Sequence, residues 1–446
     1  HFERAYSASN FTLAGLTSIL TGRFGSSTGV TGWDKGLTQD IPTLPEILGY
    51  YGYSTAAFTM DAASGFRPDY GLDRGFQRME LSPATRGTPD GRWGDPDAQV
   101  DPEGDGASAG PAARWLAEQD TGQPVFVAFH DRTAHYPFVI QAPAEGEDPT
   151  GMTQALWEAG HVQRHARGRD QAMPGSAGGT AVEGAVDPGG VDPVQAVVNR
   201  EGRTAIEVMR RHYLEGVARM DKDIGVLLEA QEARGRDERT LWVLVADHGE
   251  SLGDHGELLH GAAFYDNVVN VPLLMRGPGI PDRDEPVAGL VSHVDLLPTI
   301  LELVGAVAPA DIDGTSMLPL VLGEVETLRH TALSEGGVAR PQGDLPGAVI
   351  ELPWTLLLHE GGCDTPADRQ PPRAPGEPAR CLYNVERDPG QDVLLSWRHP
   401  DVVERLLRRW KDFRRDRSRE ADQLELDPSF VEELRKSGYD FRADPP

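Results

Sequence analysis

A chain of 446 residues, 39% hydrophobic and 25% charged, has ample apolar material for one large domain and a smaller one, or for two of ordinary size. Asp and Glu outnumber Lys and Arg 70 to 42, and the net charge of -28 argues against nucleic acid as a partner. No apolar run reaches the roughly 18 to 20 residues that cross a bilayer, so no membrane span is expected in this chain.

In chain order, "SNFTLAGLTSILTGR" (9–23) places Leu13, Leu16, Ile19 and Leu20 at helical spacing, which predicts a packed helix starting near Thr12. "TLPEILGYYG" (43–52) reads as a helix stopped by Gly52, followed by a strand over 53–58. "PVFVAFH" (124–130) is a second strand. Residues 141–200 are rich in Gly, Ala, Pro and acid with no period, and read as an insertion or surface loop. The stretch 203–235 carries apolar residues three and four apart, the pattern of a long helix. "TLWVLVAD" (240–247) and "VPLLMRG" (271–277) are further strands. "SHVDLLPTILELVG" (292–305) reads as a helix with Ser292 as N-cap, Asp295 three residues on and Gly305 as the stop.

This alternation predicts an α/β fold, a mostly parallel central sheet flanked by helices, over residues 1–325. From about 326 to 446 the character changes to a smaller C-terminal α+β subdomain. "LPWTLLLHEGG" and "RCLYNVER" have the pattern of antiparallel strands. "PDVVERLLRRWKDFRRDR" reads as an amphipathic helix whose basic face is solvated. Cys363 and Cys381 flank a Pro-rich stretch; a disulfide and two free thiols are both open, and a bridge would point to an oxidising compartment.

The densest chemistry lies in "LWVLVADHGESLGDHGELLHG" (241–261). A strand runs directly into Asp247, His248, Gly249 and Glu250, and ligands in open α/β sheets bind beyond such carboxyl ends. A carboxylate beside an imidazole can hold a divalent cation, and Gly249 lets the backbone turn close to it. The bland alternative has Asp247 capping the next element and His248 packing on the sheet. His255 and His260 follow. An anionic substrate would be repelled at long range by so acidic a protein, so its site needs a local cluster of positive charge or a metal.

"ADHGESLGDHGELLHG" resembles the second metal-site motif of the sulfatase family within the alkaline phosphatase superfamily. "FERAYSASNFTLAGLTSILTGRFGSSTGV" resembles that family's nucleophile segment, and "PVFVAFHDRTAHYPF" its His-x-Pro strand end. "VSHVDLLPTILELVG", "DGTSMLPL" and "LYNVERDPGQ" are similar to its late markers. The resemblance implies an alkaline phosphatase-like fold over nearly the whole chain apart from 141–200. Counted from "LTGR", the nucleophile position falls on Thr12, with Ser9 the nearest other hydroxyl.

The family's modified nucleophile sits in a Cys/Ser-x-Pro/Ala-x-Arg run. Here that run is Thr12-Leu13-Ala14-Gly15-Leu16, which keeps the Ala, lacks the Arg and offers no Cys or Ser to oxidise. No formylglycine is expected. "TLAG" instead resembles the Thr-Leu-Pro-Ser form of relatives that use an unmodified Thr on phosphate or phosphonate esters. The resemblance implies one divalent metal held by Asp247, His248 and Thr12, with manganese or zinc favoured over calcium by the mixed oxygen and nitrogen donors. It assigns His135 to the ester and its leaving oxygen, and His260 to the substrate's equatorial oxygens, where many members carry a Lys. His130 and Asp131 are candidates for substrate orientation, and Arg23 for positive charge or for structure.

The family's first metal motif, paired acids after the first strand, has no counterpart in this sequence, which implies a site short of one or two ligands. The expected function is a metal-dependent hydrolase of anionic sulfate or phosphate esters. Alternatives are a phosphodiesterase, phosphonate hydrolase or phosphoglycerol transferase of the same superfamily, and a non-catalytic anion-binding relative. An extracytoplasmic location, periplasmic or secreted, is favoured over the cytoplasm.

Overall fold

The computed structural model describes residues 1–59, 65–81, 109–120, 122–135, 202–261, 263–336, 346–359, 363, 378–417, 419 and 421–424. The expected insertion over 141–200 lies outside them. The chain divides into two compact units, one of residues 1–53, 63–76 and 237–425, the other of 54–62, 77–236 and 426–446.

In the second unit, the β-branched and small residues of Ser54–Thr59 form the middle strand of a three-stranded sheet. It pairs in parallel with Arg78–Leu81 on one side and Val125–His130 on the other, with Ser54 opposite Val125 and Thr59 opposite His130. Helix Gly110–Glu118 starts with Pro111 in its first turn, where a missing N–H costs nothing. It packs on helix Arg203–Ala233. Ala109 N donates to the buried Asp223 across that contact, 3.2 Å away.

In the first unit, helix Thr12–Thr21 buries Leu13, Leu16 and Leu20, as its period requires. Helix Leu44–Tyr50 opens on a capping box, with Thr43 N donating to Glu46 Oε2 at 2.9 Å. Ala5–Tyr6 pairs in parallel with Val291–Ser292. Strand Trp242–Val245 pairs with Leu273–Arg276, and this ladder is antiparallel, a local departure from the expected parallel order. Parallel pairing needs a crossover that carries the chain back across the sheet, usually a helix. Among the described residues the connection here holds the short pair Ser251–Leu252 with Leu258–Leu259, the three-residue turn Asp254–Gly256 and the four-residue helix Asp266–Val269, with no long crossover helix.

The C-terminal part of this unit is a four-stranded antiparallel sheet, ordered Ala332–Glu335, Gly347–Glu351, Trp354–His359 and Ala379–Asn384. Helix Pro400–Arg417 lies on it through Val402, Leu406, Trp410 and Phe413, with its basic residues mostly outward. Of the two states open for the cysteines, the structure has the bridge, Cys363–Cys381. Among the described residues no helix is long and apolar enough to cross a membrane.

Candidate active site

Thr12 is the first residue of its helix, and Phe11 before it offers no side-chain cap. The opening N–H groups of the helix therefore keep their capacity to bind an anion, supported by the helix dipole. Thr12 is almost fully buried, and its Oγ1 lies 3.1 Å from His248 Nε2. Ser9 Oγ, the other candidate hydroxyl, is buried and makes no hydrogen bond among the described residues.

The helix reaches the end of strand Trp242–Val245 because residue 15 is glycine. A Cβ at Gly15 would stand 2.7 Å from the Asp247 carbonyl oxygen, a contact that only shifting backbone could relieve. Gly249 serves the turn in the same way, since a Cβ there would meet the Asn267 carbonyl oxygen at 2.2 Å. Gly249 N donates to Val268 O at 2.7 Å and Glu250 N to Asn267 O at 3.2 Å, which seats the turn on helix Asp266–Val269.

His248 Nδ1 lies 2.8 Å from the Gly249 carbonyl. A carbonyl only accepts, so Nδ1 carries the proton and Nε2 presents its lone pair towards Thr12. Burial pushes the His248 pKa down, which favours this neutral ring. Asp247 Oδ2 lies 3.5 Å from the same Nε2. The His260 ring sits against His248 with centroids 4.1 Å apart, and its Nδ1 lies 3.0 Å from Glu250 Oε1. Both side chains of this second pair are buried. The sequence places Glu250 in the run after the strand but assigns it no role of its own. The only signal for it was its place inside "DHGE", with no spacing to pair it with His260.

Arg23 is buried and forms an ion pair with Asp311 at 2.5 Å, so it sits in a structural contact of its own. His130, Asp131 and His135 belong to the other compact unit. His130 Nδ1 lies 3.4 Å from Thr59 Oγ1 on the neighbouring strand. Asp131 Oδ1 accepts from Thr133 N and Oγ1, closing its own turn. His135 Nε2 lies 2.7 Å from Arg132 Nη2, an arrangement in which the ring nitrogen accepts. His255 stacks on Tyr265 at a centroid distance of 3.7 Å and faces the Gly390 carbonyl through Nε2.

Asp247, His248 and Thr12 together match a divalent cation in kind, offering carboxylate, imidazole and hydroxyl. The contact of His248 Nδ1 with a carbonyl is the arrangement that fixes a metal-ligating imidazole. In number they fall short: among the described residues no three His, Cys, Asp or Glu side chains converge on one point.

The helix behind the turn carries its own titratable group. Tyr6 donates to Asp266 Oδ2 at 3.2 Å, and burial raises the Asp266 pKa to about 6. The folded state then holds this proton more tightly than the unfolded chain, whose Asp titrates near 4. The contribution is full below about pH 4 and is lost as pH rises through about 6. Asp266→Asn lacks this loss. Its stability relative to wild type should rise between pH 4 and pH 7 by at most about 3 kcal/mol, read from urea midpoints at each pH. The buried His293, lowered to about 4, acts with opposite sign as pH falls from about 6.5, but it is common to both proteins and cancels in the difference. A difference that does not vary with pH would refute the assignment.

A helix N-terminus, a buried hydroxyl and a carboxylate–imidazole pair therefore meet at one strand end. Solved structures agree on the fold. A 2-O GAG sulfatase superposes with a TM-score of 0.64 at 18% identity over 94% of this chain and 86% of its own. A phosphonate monoester hydrolase from Silicibacter pomeroyi gives 0.63 at 21% identity over 94% and 88%. The sulfatase family matches residues 1–306, and the chain belongs to it. Among curated relatives, a Delta 4,5-hexuronate-2-O-sulfatase from Bacteroides thetaiotaomicron is 30% identical over 217 residues. That match covers 48% of this chain and 43% of the relative, so the matched stretch spans less than half the length of this curated relative.

Proposed function

We propose that the protein hydrolyses sulfate or phosphate-type esters with Thr12 as an unmodified nucleophile. The observation that carries this reading is the 3.1 Å contact of Thr12 Oγ1 with His248 Nε2 at an uncapped helix start. Oγ1 gives up its proton as it forms the new bond to sulfur or phosphorus, and the leaving oxygen takes up a proton as its bond breaks. Water then attacks the same atom, returning the Thr12 hydroxyl and releasing the sulfate, phosphate or phosphonate. The first-turn N–H groups and the His260 ring, held by Glu250, would meet the charge on the remaining oxygens. These donors supply locally the attraction that a net charge of -28 denies at long range. The assignment of His135 to the leaving oxygen rests on its place in "AHYPF".

Asp247, His248 and Thr12 would supply part of the shell of a divalent cation, manganese or zinc by their donor types, with substrate and water oxygens completing it. When bound, such an ion lowers the pKa of a coordinated hydroxyl and neutralises charge on the ester. The bridge Cys363–Cys381 supports an extracytoplasmic, oxidising location.

Within the ester class, the unmodified Thr12 and the imidazole of His248 favour a phosphodiester or phosphonate monoester, while family membership favours sulfate. Paired aryl sulfate, aryl phosphodiester and phenyl phosphonate substrates with added manganese, zinc or calcium separate them. Turnover of at least one, lost in Thr12→Ala, is expected. Sulfate turnover alone would remove the phosphoester reading, and binding of all three without turnover would overturn the enzymatic one.

A further inference from the structure

The residues that meet at the site come from two remote segments, 7–12 and 246–250, and something must fix their separation. No strand pairing joins Ser7–Ser9 to Ala246–Asp247; the junction is made by two side chains, those of Ser7 and His293. His293 is buried at 2% exposure, and its Nε2 lies 3.0 Å from the Ala246 carbonyl oxygen. Its Nδ1 lies 3.4 Å from both Ala8 N and Ser7 Oγ. Ser7 Oγ lies in turn 2.6 Å from the Asp247 carbonyl oxygen. In the neutral tautomer that fits, Nε2–H donates to Ala246 and Nδ1 accepts from Ala8 N, while the Ser7 hydroxyl gives its one proton to the Asp247 carbonyl.

The ring is itself held. His293 opens the short turn His293–Asp295, whose Asp295 accepts from Ser292 N and Thr315 N at 2.9 Å each and pairs with Arg329. The imidazole therefore projects from a fixed base to the point where the two site segments meet.

We propose that His293 is a positioning residue that clamps Ala246 to Ala8, beside the direct bond of Ser7 to Asp247, and so sets the separation of Thr12 from His248. It touches neither Thr12 nor His248 through any hydrogen bond described above, and acts through the backbone on either side. The inference rests on the reading of Thr12 and His248 as the reacting pair.

The test compares wild type, Thr12→Ala, His293→Leu and His293→Gln. Leu keeps the apolar bulk and removes both polar contacts; Gln keeps a donor that can reach the Ala246 carbonyl. Steady-state kinetics on the best substrate, Zn2+ affinity by calorimetry, melting temperature and a crystal structure of His293→Leu are measured. His293→Leu is expected to lower kcat 10- to 100-fold with KM within about threefold, and to weaken Zn2+ binding by a similar 10- to 100-fold. His293→Gln should recover most of both. In the crystal, the Thr12–His248 contact of 3.1 Å should open beyond hydrogen-bonding distance.

A purely structural role would lower the melting temperature of His293→Leu yet leave kcat per folded molecule, Zn2+ affinity and the contact unchanged. That result overturns the inference, as does a Gln variant no better than Leu. Full activity in Thr12→Ala would instead overturn the reading beneath it. The crystal contact and the Zn2+ affinity still decide on the clamp if His293→Leu proves poorly active for another reason.

Discussion

Thr12→Ala should lower kcat by about 10,000-fold or more, equivalent to roughly 5.5 kcal/mol of transition-state stabilisation. The nucleophile forms the bond that defines the reaction, so no neighbouring group can share its role. Thr12→Ser keeps the hydroxyl on the same helix turn and should stay within about tenfold of wild type. Ser9→Ala is the control, because the Ser9 hydroxyl makes no hydrogen bond among the described residues and the change should leave kcat nearly untouched. Thermal melts keep the comparison fair, since removing one buried hydroxyl with its partner left in place costs about 1 to 3 kcal/mol. A Thr12→Ala protein that is folded and within tenfold of wild type would end the nucleophile reading. An inactive Ser9→Ala would move the role to Ser9.

The second large effect belongs to His260 and Glu250. His260→Ala should cost about 100- to 1,000-fold in kcat, the range for losing one donor to a developing oxyanion. Glu250 acts through His260: its carboxylate, 3.0 Å from Nδ1, sets which ring nitrogen carries a proton and where the other points. Glu250→Ala should therefore lose most of what His260→Ala loses. Glu250→Gln keeps an oxygen acceptor in place and should lose about tenfold. The double variant His260→Ala with Glu250→Ala should be no worse than His260→Ala alone, since both changes remove one function. Additive losses in kcat/KM would show that Glu250 has a separate task.

These two predictions address different halves of the site. In the proposed reading Thr12 and His248 concern bond making, whereas His260 and Glu250 concern the charge of the oxygens that remain. The close, tilted contact of the His248 and His260 rings joins them, so a change in either imidazole should be read with the other in mind.

What the sequence by itself determined was whatever depends on neighbours along the chain. The helix from Thr12, the strands over 54–59, 125–130, 242–245 and 273–276, and the amphipathic helix over 400–417 follow from local periodicity and sit close to where it put them. The family also showed in the sequence, because its motifs are short and contiguous, and Thr12 could be singled out by counting from "LTGR". What only the tertiary structure decided depends on residues far apart in the chain. Thr12 meets His248 across 236 positions, and His293 meets Ser7 across 286, distances at which spacing in a sequence carries no geometry. The antiparallel turn of strand Leu273–Arg276, the pairing of Arg23 with Asp311 and the choice of bridge over free thiols belong to the same class. Each is settled by which surfaces pack, since burial makes a polar group find whichever partner the fold brings within reach.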